Sequence, residues 1–261
     1  MHIRNTAYIF GWLLWRDIRL LRYNLPGKLL DALIWSTNYI VINSYIMPLF
    51  GVPQSYGAFI WVGAIVTMGF FDASHYAADL VNDIAGDKSI EYLLMLPIPS
   101  WLVFIKIALS FALNCMALSI FILPLGKLLL WDRLDLSTFA LVKFVPMFLL
   151  TNIFFGFFAL WIASWAKDGI NFSYVWRRIV NPLWIFGGNQ FSWAFFYKAL
   201  PRIALLGLIN PLTYAFEGMR AAILGPIGFF NVWIACGMLI LFTLFFGWWA
   251  LKWMKQRLDY V

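Results

Sequence analysis

Six stretches of roughly twenty mostly apolar residues constrain this chain more than any other feature, because that length matches the hydrocarbon thickness of a bilayer. They fall at 29–50, 58–78, 101–123, 139–165, 175–193 and 230–253. With 63% hydrophobic and 12% charged residues in 261, and a mean hydropathy of +0.81, too little polar surface remains to coat a water-facing globule. The bilayer is therefore the expected solvent. The net charge of +7 does not point to nucleic acid, since the Lys and Arg residues lie between apolar runs, where they orient helices and meet anionic headgroups.

Before the first run, Tyr8, Ile9, Trp12, Leu13, Trp15, Ile18 and Leu21 recur at helical spacing while Arg16, Asp17, Arg19 and Arg22 crowd the second half. That pattern predicts an amphipathic helix lying in the membrane interface within residues 1–28, ended by Leu25-Pro26-Gly27; a shallow first crossing is the alternative, at the cost of three arginines near the bilayer. No short apolar core with a small-residue cleavage site is present at the start, so the N-terminus is expected to stay in the cytoplasm. Residues 194–228 are too apolar for an ordinary loop and too interrupted by Pro201, Gly207, Pro211, Gly218 and Gly225 for one span; they predict short re-entrant helices. Such broken backbone needs protein or a wet cavity around it, because lipid satisfies no free N–H or C=O group.

Arg4, Arg16, Arg19, Arg22, Lys28, Lys88, Lys106, Lys167, Arg177, Arg178, Lys252, Lys255 and Arg257 fall on one side of this layout. Lys127, Arg133, Lys143, Lys198, Arg202 and Arg220 fall on the other. The excess predicts that both termini face the cytoplasm. Against that bias, the cytoplasmic connection 79–100 is acidic, with Asp79, Asp83, Asp87 and Glu91. Within it, 89–96 has the composition of a short amphipathic helix, N-capped by Ser89 and stopped by Pro97, which is either a docking element for a soluble partner or a plain solvated loop.

Chemistry of the covalent kind finds no machinery: the sequence offers no convincing nucleophile–base pair or cluster of acids, so no catalytic residue is assigned. His2 and His75 are the two histidines and no Cys or carboxylate cluster accompanies them, so no metal site is expected. Cys115 and Cys236 lie inside apolar runs and read as small hydrophobes. No GxxxxGK[ST] loop occurs, so any ATP and Mg would be held by a partner, and no cofactor is expected on this chain. Intramembrane polar residues are Asp31, Asn38, Asn43, Asp72, His75, Asn114, Asn152 and Asn189; Asp72 and His75, three apart at the mouth of the second run, are either a proton relay or a structural pair. Trp35, Tyr39 and Asn43 recur every four residues on the first run and either line a substrate path or pack. Glu217 and Arg220, three apart, share a helix face near the outer boundary and either neutralise each other or meet substrate.

Two segments carry a resemblance. Ser89-Ile90-Glu91-Tyr92-Leu93-Leu94-Met95-Leu96-Pro97-Ile98-Pro99 resembles the Gly-Thr-Leu-Glu-x-Leu-Leu-x-x-Pro stretch of type-2 ABC exporter permeases, with Lys88 where the family has Gly and Ser89 where it has Thr. Ile209-Asn210-Pro211-Leu212-Thr213-Tyr214 is similar to the family's stretch before its last membrane helix, and 182–201 resembles the portion preceding it, with Gly187-Gly188 in place of Ser-Gly. The resemblance implies an all-α integral membrane protein of one domain, 1–261, with six transmembrane helices, an N-terminal interfacial helix and re-entrant helices between the fifth and sixth spans. It further implies a permease without catalytic activity of its own, a multi-pass protein of the bacterial inner membrane. A second copy of itself, two copies of a P-loop ATPase and membrane lipid would be its partners. Ser89, Ile90, Glu91, Leu93, Leu94 and Pro97 would couple to the ATPase, and Asn210, Pro211, Tyr214, Glu217 and Arg220 would form an outer re-entrant gate. A lipid-linked glycan, a lipid or a hydrophobic drug would be exported. A proton-coupled carrier and a membrane-embedded lipid-modifying enzyme are the rival classes.

Overall fold

The apolar runs fold as helices in the computed structural model, which describes residues 2–86, 88–166 and 172–259. Among the described residues there is no strand. Helix α1 covers His2–Val41 and passes through a π-type turn, Ile42–Ile46, into a 3-10 turn, Met47–Phe50. Then come α2 (Tyr56–Ala85), α3 (Ser89–Leu94), α4 (Ser100–Leu130) and α5 (Leu141–Trp165). Short α6 (Phe172–Val175) runs through another π-type turn, Trp176–Val180, into α7 (Asn181–Phe186). Two more short helices, α8 (Trp193–Ala199) and α9 (Pro201–Gly207), precede the buried α10 (Pro211–Ile223) and the long α11 (Val232–Asp259).

Four of these helices, α2, α4, α5 and α11, are long and apolar enough to cross a membrane, and the protein is an all-helical, membrane-embedded one. They match four of the six expected runs, extended by up to two turns. Of the most apolar eighteen residues in each, 78% are buried in α2 but only 28% in α11, so α2 is the centre of the bundle and α11 its rim. Along α11 the side chains of Trp233, Ile234, Leu241, Leu244, Phe245 and Trp248 point outward, as lipid permits and water would not.

Close helix contacts rest on small residues. A side chain at Gly156 of α5 would overlap the Ala108 carbonyl of α4, and one at Gly126 would overlap the Trp61 indole, whose Nε1 donates to the Ile122 carbonyl at 2.9 Å. Phe70, Phe154, Phe155 and Phe158 fill the main core at tilted angles, with ring centroids 5.5–5.9 Å apart. A second apolar cluster at one end of the bundle joins Ile90 of α3 to Leu80, Ile84, Phe104, Leu160 and Met254. There Arg257 donates to the carbonyls of Ala163 and Ala166, both at 2.6 Å, and satisfies the C-terminal end of α5.

Three expectations are corrected. Leu25-Pro26-Gly27 does not end a helix: Pro26 lies inside α1, so the expected interfacial helix and the first run, 29–50, form one element. Proline removes a single intrahelical hydrogen bond, and the contacts of α1 with α4 and α2 outweigh that loss. Asp17, read as part of the charged half of an interfacial helix, is buried against α4, ion-paired with Lys106 and accepting from the Ser110 hydroxyl at 2.7 Å. The run at 175–193 stops at Phe186; its described part, from 172, extends only about 22 Å at ~1.5 Å per residue, because Gly187 and the left-handed Gly188 turn the chain. Asp87, Lys167 and the side chains of His2 and Arg4, used above in reading orientation, the acidic loop or metal binding, lie outside the described residues.

Candidate functional site

Helix α3 projects from the end of the bundle where α2 stops and α4 begins. Its N-terminus is not capped by Ser89, which is its first residue. Asp83, in the last turn of α2, does this instead: its two carboxylate oxygens accept from the Ser89 and Ile90 N–H groups, each at 3.1 Å, and from the Ser89 hydroxyl. A carboxylate there also opposes the positive end of the helix dipole. Lys88 enters the helix with φ 53°, a left-handed conformation that glycine adopts without strain and lysine does not. This is the position at which the resembled motif has Gly.

The helix ends at Leu94, one half-turn sooner than the expected 96, and its faces are divided. Ile90 is buried, and Leu93 and Leu94 are partly buried against the second cluster. Tyr92 (72% exposed) and Met95 (77% exposed) point away from the protein, beside the half-exposed Glu91, which lies 3.5 Å from Lys88. Pro97 is exposed as the chain turns into α4. Among the six expected coupling residues, then, Ser89, Glu91 and Pro97 are accessible, and Ile90, Leu93 and Leu94 hold the helix down. Tyr92 and Met95, three apart on the outward face, were overlooked; the spacing of Ile90, Leu93 and Leu94 on one helical stripe already carried that information.

At the opposite side of the bundle the expected gate residues are enclosed. Every residue of α10 is buried. Asn210 caps it, accepting from Leu212 N–H at 3.0 Å and donating to the Leu183 carbonyl at 2.7 Å; Pro211 takes the first helical position, and the Tyr214 hydroxyl donates to the Leu208 carbonyl at 3.0 Å. Glu217 and Arg220 are fully buried and 3.8 Å apart, so each reaches past the other to backbone. Arg220 donates to the carbonyls of Gly188 (2.6 Å) and Asn189 (2.7 Å) and lies with its guanidinium carbon 3.5 Å from the Phe59 ring centre. Glu217 accepts from the Trp193 N–H at 2.9 Å. The pair thus clamps both ends of the 187–193 connection.

Of the expected path residues, Tyr39 and Asn43 turn to internal partners. Asn189 donates to the Tyr39 hydroxyl at 2.7 Å, and Asn43 bonds back to the Tyr39 carbonyl at 2.8 Å. Trp35 stacks on Tyr39 and borders a cleft of about 430 Å³ between α1 and α2, together with Lys28, Phe71, Asp72 and His75. Because α2 runs on to Ala85, Asp72 lies just past the middle of its helix rather than at a mouth. Lys28 donates to Asp72 at 3.3 Å and to the Tyr76 hydroxyl, which in turn donates to Asn114 Oδ1 at 2.6 Å. The second oxygen of Asp72 has no hydrogen-bond partner among the described residues. His75 is exposed and stands beside Trp176, with ring centroids 6.4 Å apart. Among the described residues no group of three or more His, Cys, Asp or Glu could hold a metal ion. The chain matches no protein-family model, no curated protein and no solved structure.

Proposed function

We propose that this chain is the membrane-spanning subunit of an ATP-driven exporter that docks a separate P-loop ATPase through α3. The observation that carries the proposal is the division of α3: an inner stripe, Ile90, Leu93 and Leu94, seated on the bundle, and an outer face of Glu91, Tyr92 and Met95 left bare. Its anchorage to α2 through Asp83 suits a part that passes force into the spanning helices. A free six-residue helix would not hold its shape in water, so the cap from Asp83 and the seated apolar stripe are what keep α3 formed with its outer face presented. In this reading ATP and Mg belong to the partner and the permease itself performs no covalent chemistry. The second half of α1 supplies a fifth crossing, the run that ends at Phe186 counts as the sixth although its described part, 172–186, is shorter than a span, α8 and α9 form the re-entrant pair, and two copies assemble in a bacterial plasma membrane with both termini in the cytoplasm.

Affinity purification through a tag at the C-terminus tests the reading. A P-loop ATPase in equal copy number is expected, released by Glu91→Lys while the variant still inserts. If no ATPase accompanies the gently solubilised wild-type protein, the docking role of α3 fails. A proton-coupled carrier is the second reading, favoured by the polar string Asp72–Lys28–Tyr76–Asn114 deep between α1, α2 and α4. It requires that Asp72→Asn abolish transport in vesicles that contain no ATPase.

A further inference from the structure

The cleft between α1 and α2 has a charge balance that its own side chains do not close. Three carboxylates, Asp31, Asp72 and Asp79, border it, against one cation, Lys28. With His75 neutral the lining carries a surplus of two negative charges. Lys28 is already engaged by Asp72 and Tyr76, while Asp31 and Asp79 are exposed and have no ion-pair partner among the described residues. Asp72 is 8% exposed, and among the described residues Lys28 is its one ion-pair partner. The remaining walls are apolar and aromatic: Trp35, held by its stack on Tyr39 and its edge contact with Phe71 at 5.9 Å, and Phe71 itself, packed on Trp176 and Trp184.

We infer that this cleft binds an organic cation carrying an apolar body. The cationic head takes the place left by the surplus carboxylates, and the body lies against Trp35 and Phe71, whose ring faces attract cations as well as apolar surface. Two sources supply that chemistry in a membrane, the ammonium headgroup of a phospholipid and a small amphipathic cation. The inference does not depend on the exporter reading, because binding is a property of this chain without its partner.

Radiolabelled tetraphenylphosphonium is the probe, added to the full-length protein purified in dodecyl maltoside, a detergent with no charge of its own. Saturable binding is expected, and the uncharged triphenylphosphine oxide should not compete. Asp31 and Asp79 are exposed, so the double variant Asp31→Asn/Asp79→Asn keeps the fold. It should weaken binding about five- to tenfold, the range for losing two partly screened attractions at close range. Trp35→Ala should weaken it about tenfold, and Lys28→Met, which removes the competing internal cation, should tighten it several-fold. That last change is one a purely structural role for the cleft would not produce. Displacement of the probe by phosphatidylethanolamine but not by phosphatidylglycerol assigns the site to a lipid headgroup; no displacement by either assigns it to a small cation, and both results uphold the inference. Absence of saturable binding, equal binding of the neutral analogue, or unchanged affinity in the double carboxylate variant overturns it.

Discussion

Two of this protein's ion pairs, Glu217 with Arg220 and Lys28 with Asp72, are used differently. Glu217 and Arg220 on α10 are sealed from all sides and hold backbone: two carbonyls on one hand, one N–H on the other. Lys28 and Asp72 join α1 to α2 through side chains alone and open onto a cleft. Both pairs are charges set within an apolar helical bundle, of the kind that invites a functional reading. Their surroundings separate them: a charge whose partners are the backbone of a fixed turn is committed to architecture, whereas a pair made only of side chains at the edge of a cavity, with its lysine one-third exposed, can exchange its partners.

The contrast predicts a graded series of effects. Arg220→Met should be the most damaging, about 3–5 kcal/mol, since it strands Glu217 and two buried carbonyls; thermal unfolding in detergent, or a collapse in the yield of inserted protein, would read it. A mild effect there would break the contrast at its strongest point. Asp72→Asn should cost about 1–2 kcal/mol by the same measurement, because Lys28 is one-third exposed and can turn to water. Asp83 grips backbone as Glu217 does, but near the surface, so Asp83→Ala should cost about 1 kcal/mol, confined to α3 and visible as faster amide exchange at Ser89 and Ile90. Asp135 is the limiting case: its carboxylate accepts from the Ser137 N–H at 2.8 Å in a fully exposed turn. That N–H holds its carboxyl below the usual carboxylate range, so the turn's hydrogen bond is intact above that range and is lost as pH falls through the lowered value. Carboxylate titration by NMR should show the depressed value, and Asp135→Ala should leave the unfolding midpoint unchanged.

Length and apolarity made the bundle legible in the sequence: α2, α4, α5 and α11 lie where their runs are. What was not legible depended on partners distant along the chain. Pro26 reads locally as a stop, yet α1 has α4 and α2 to lean on along both halves. Ser89 reads as a cap because Asp83 is six positions away and becomes a neighbour only when the chain turns back at Lys88. Glu217 and Arg220 read as a pair because helical spacing brings them together; nothing in that spacing reveals the Gly188 and Trp193 backbone groups that draw them apart. The cleft at Asp72 was half visible, as an aromatic stripe on one run and an acid on the next, without the register that sets Trp35 against Phe71.

Helix α1, forty residues without a break, is about 60 Å of continuous shaft at ~1.5 Å per residue. It is bolted a little short of its middle by Asp17 to Lys106, two-thirds along by Lys28 to Asp72, and near its far end by Tyr39 to Asn189. A shaft fixed at three stations transmits torque better than it bends, and Pro26, between the first two, is where it lacks a strut. Twisting the half of α1 that precedes Asp17 would therefore reach the aromatic wall of the cleft as rotation, and the stiffness of the helix at Pro26 would set how much of that rotation arrives.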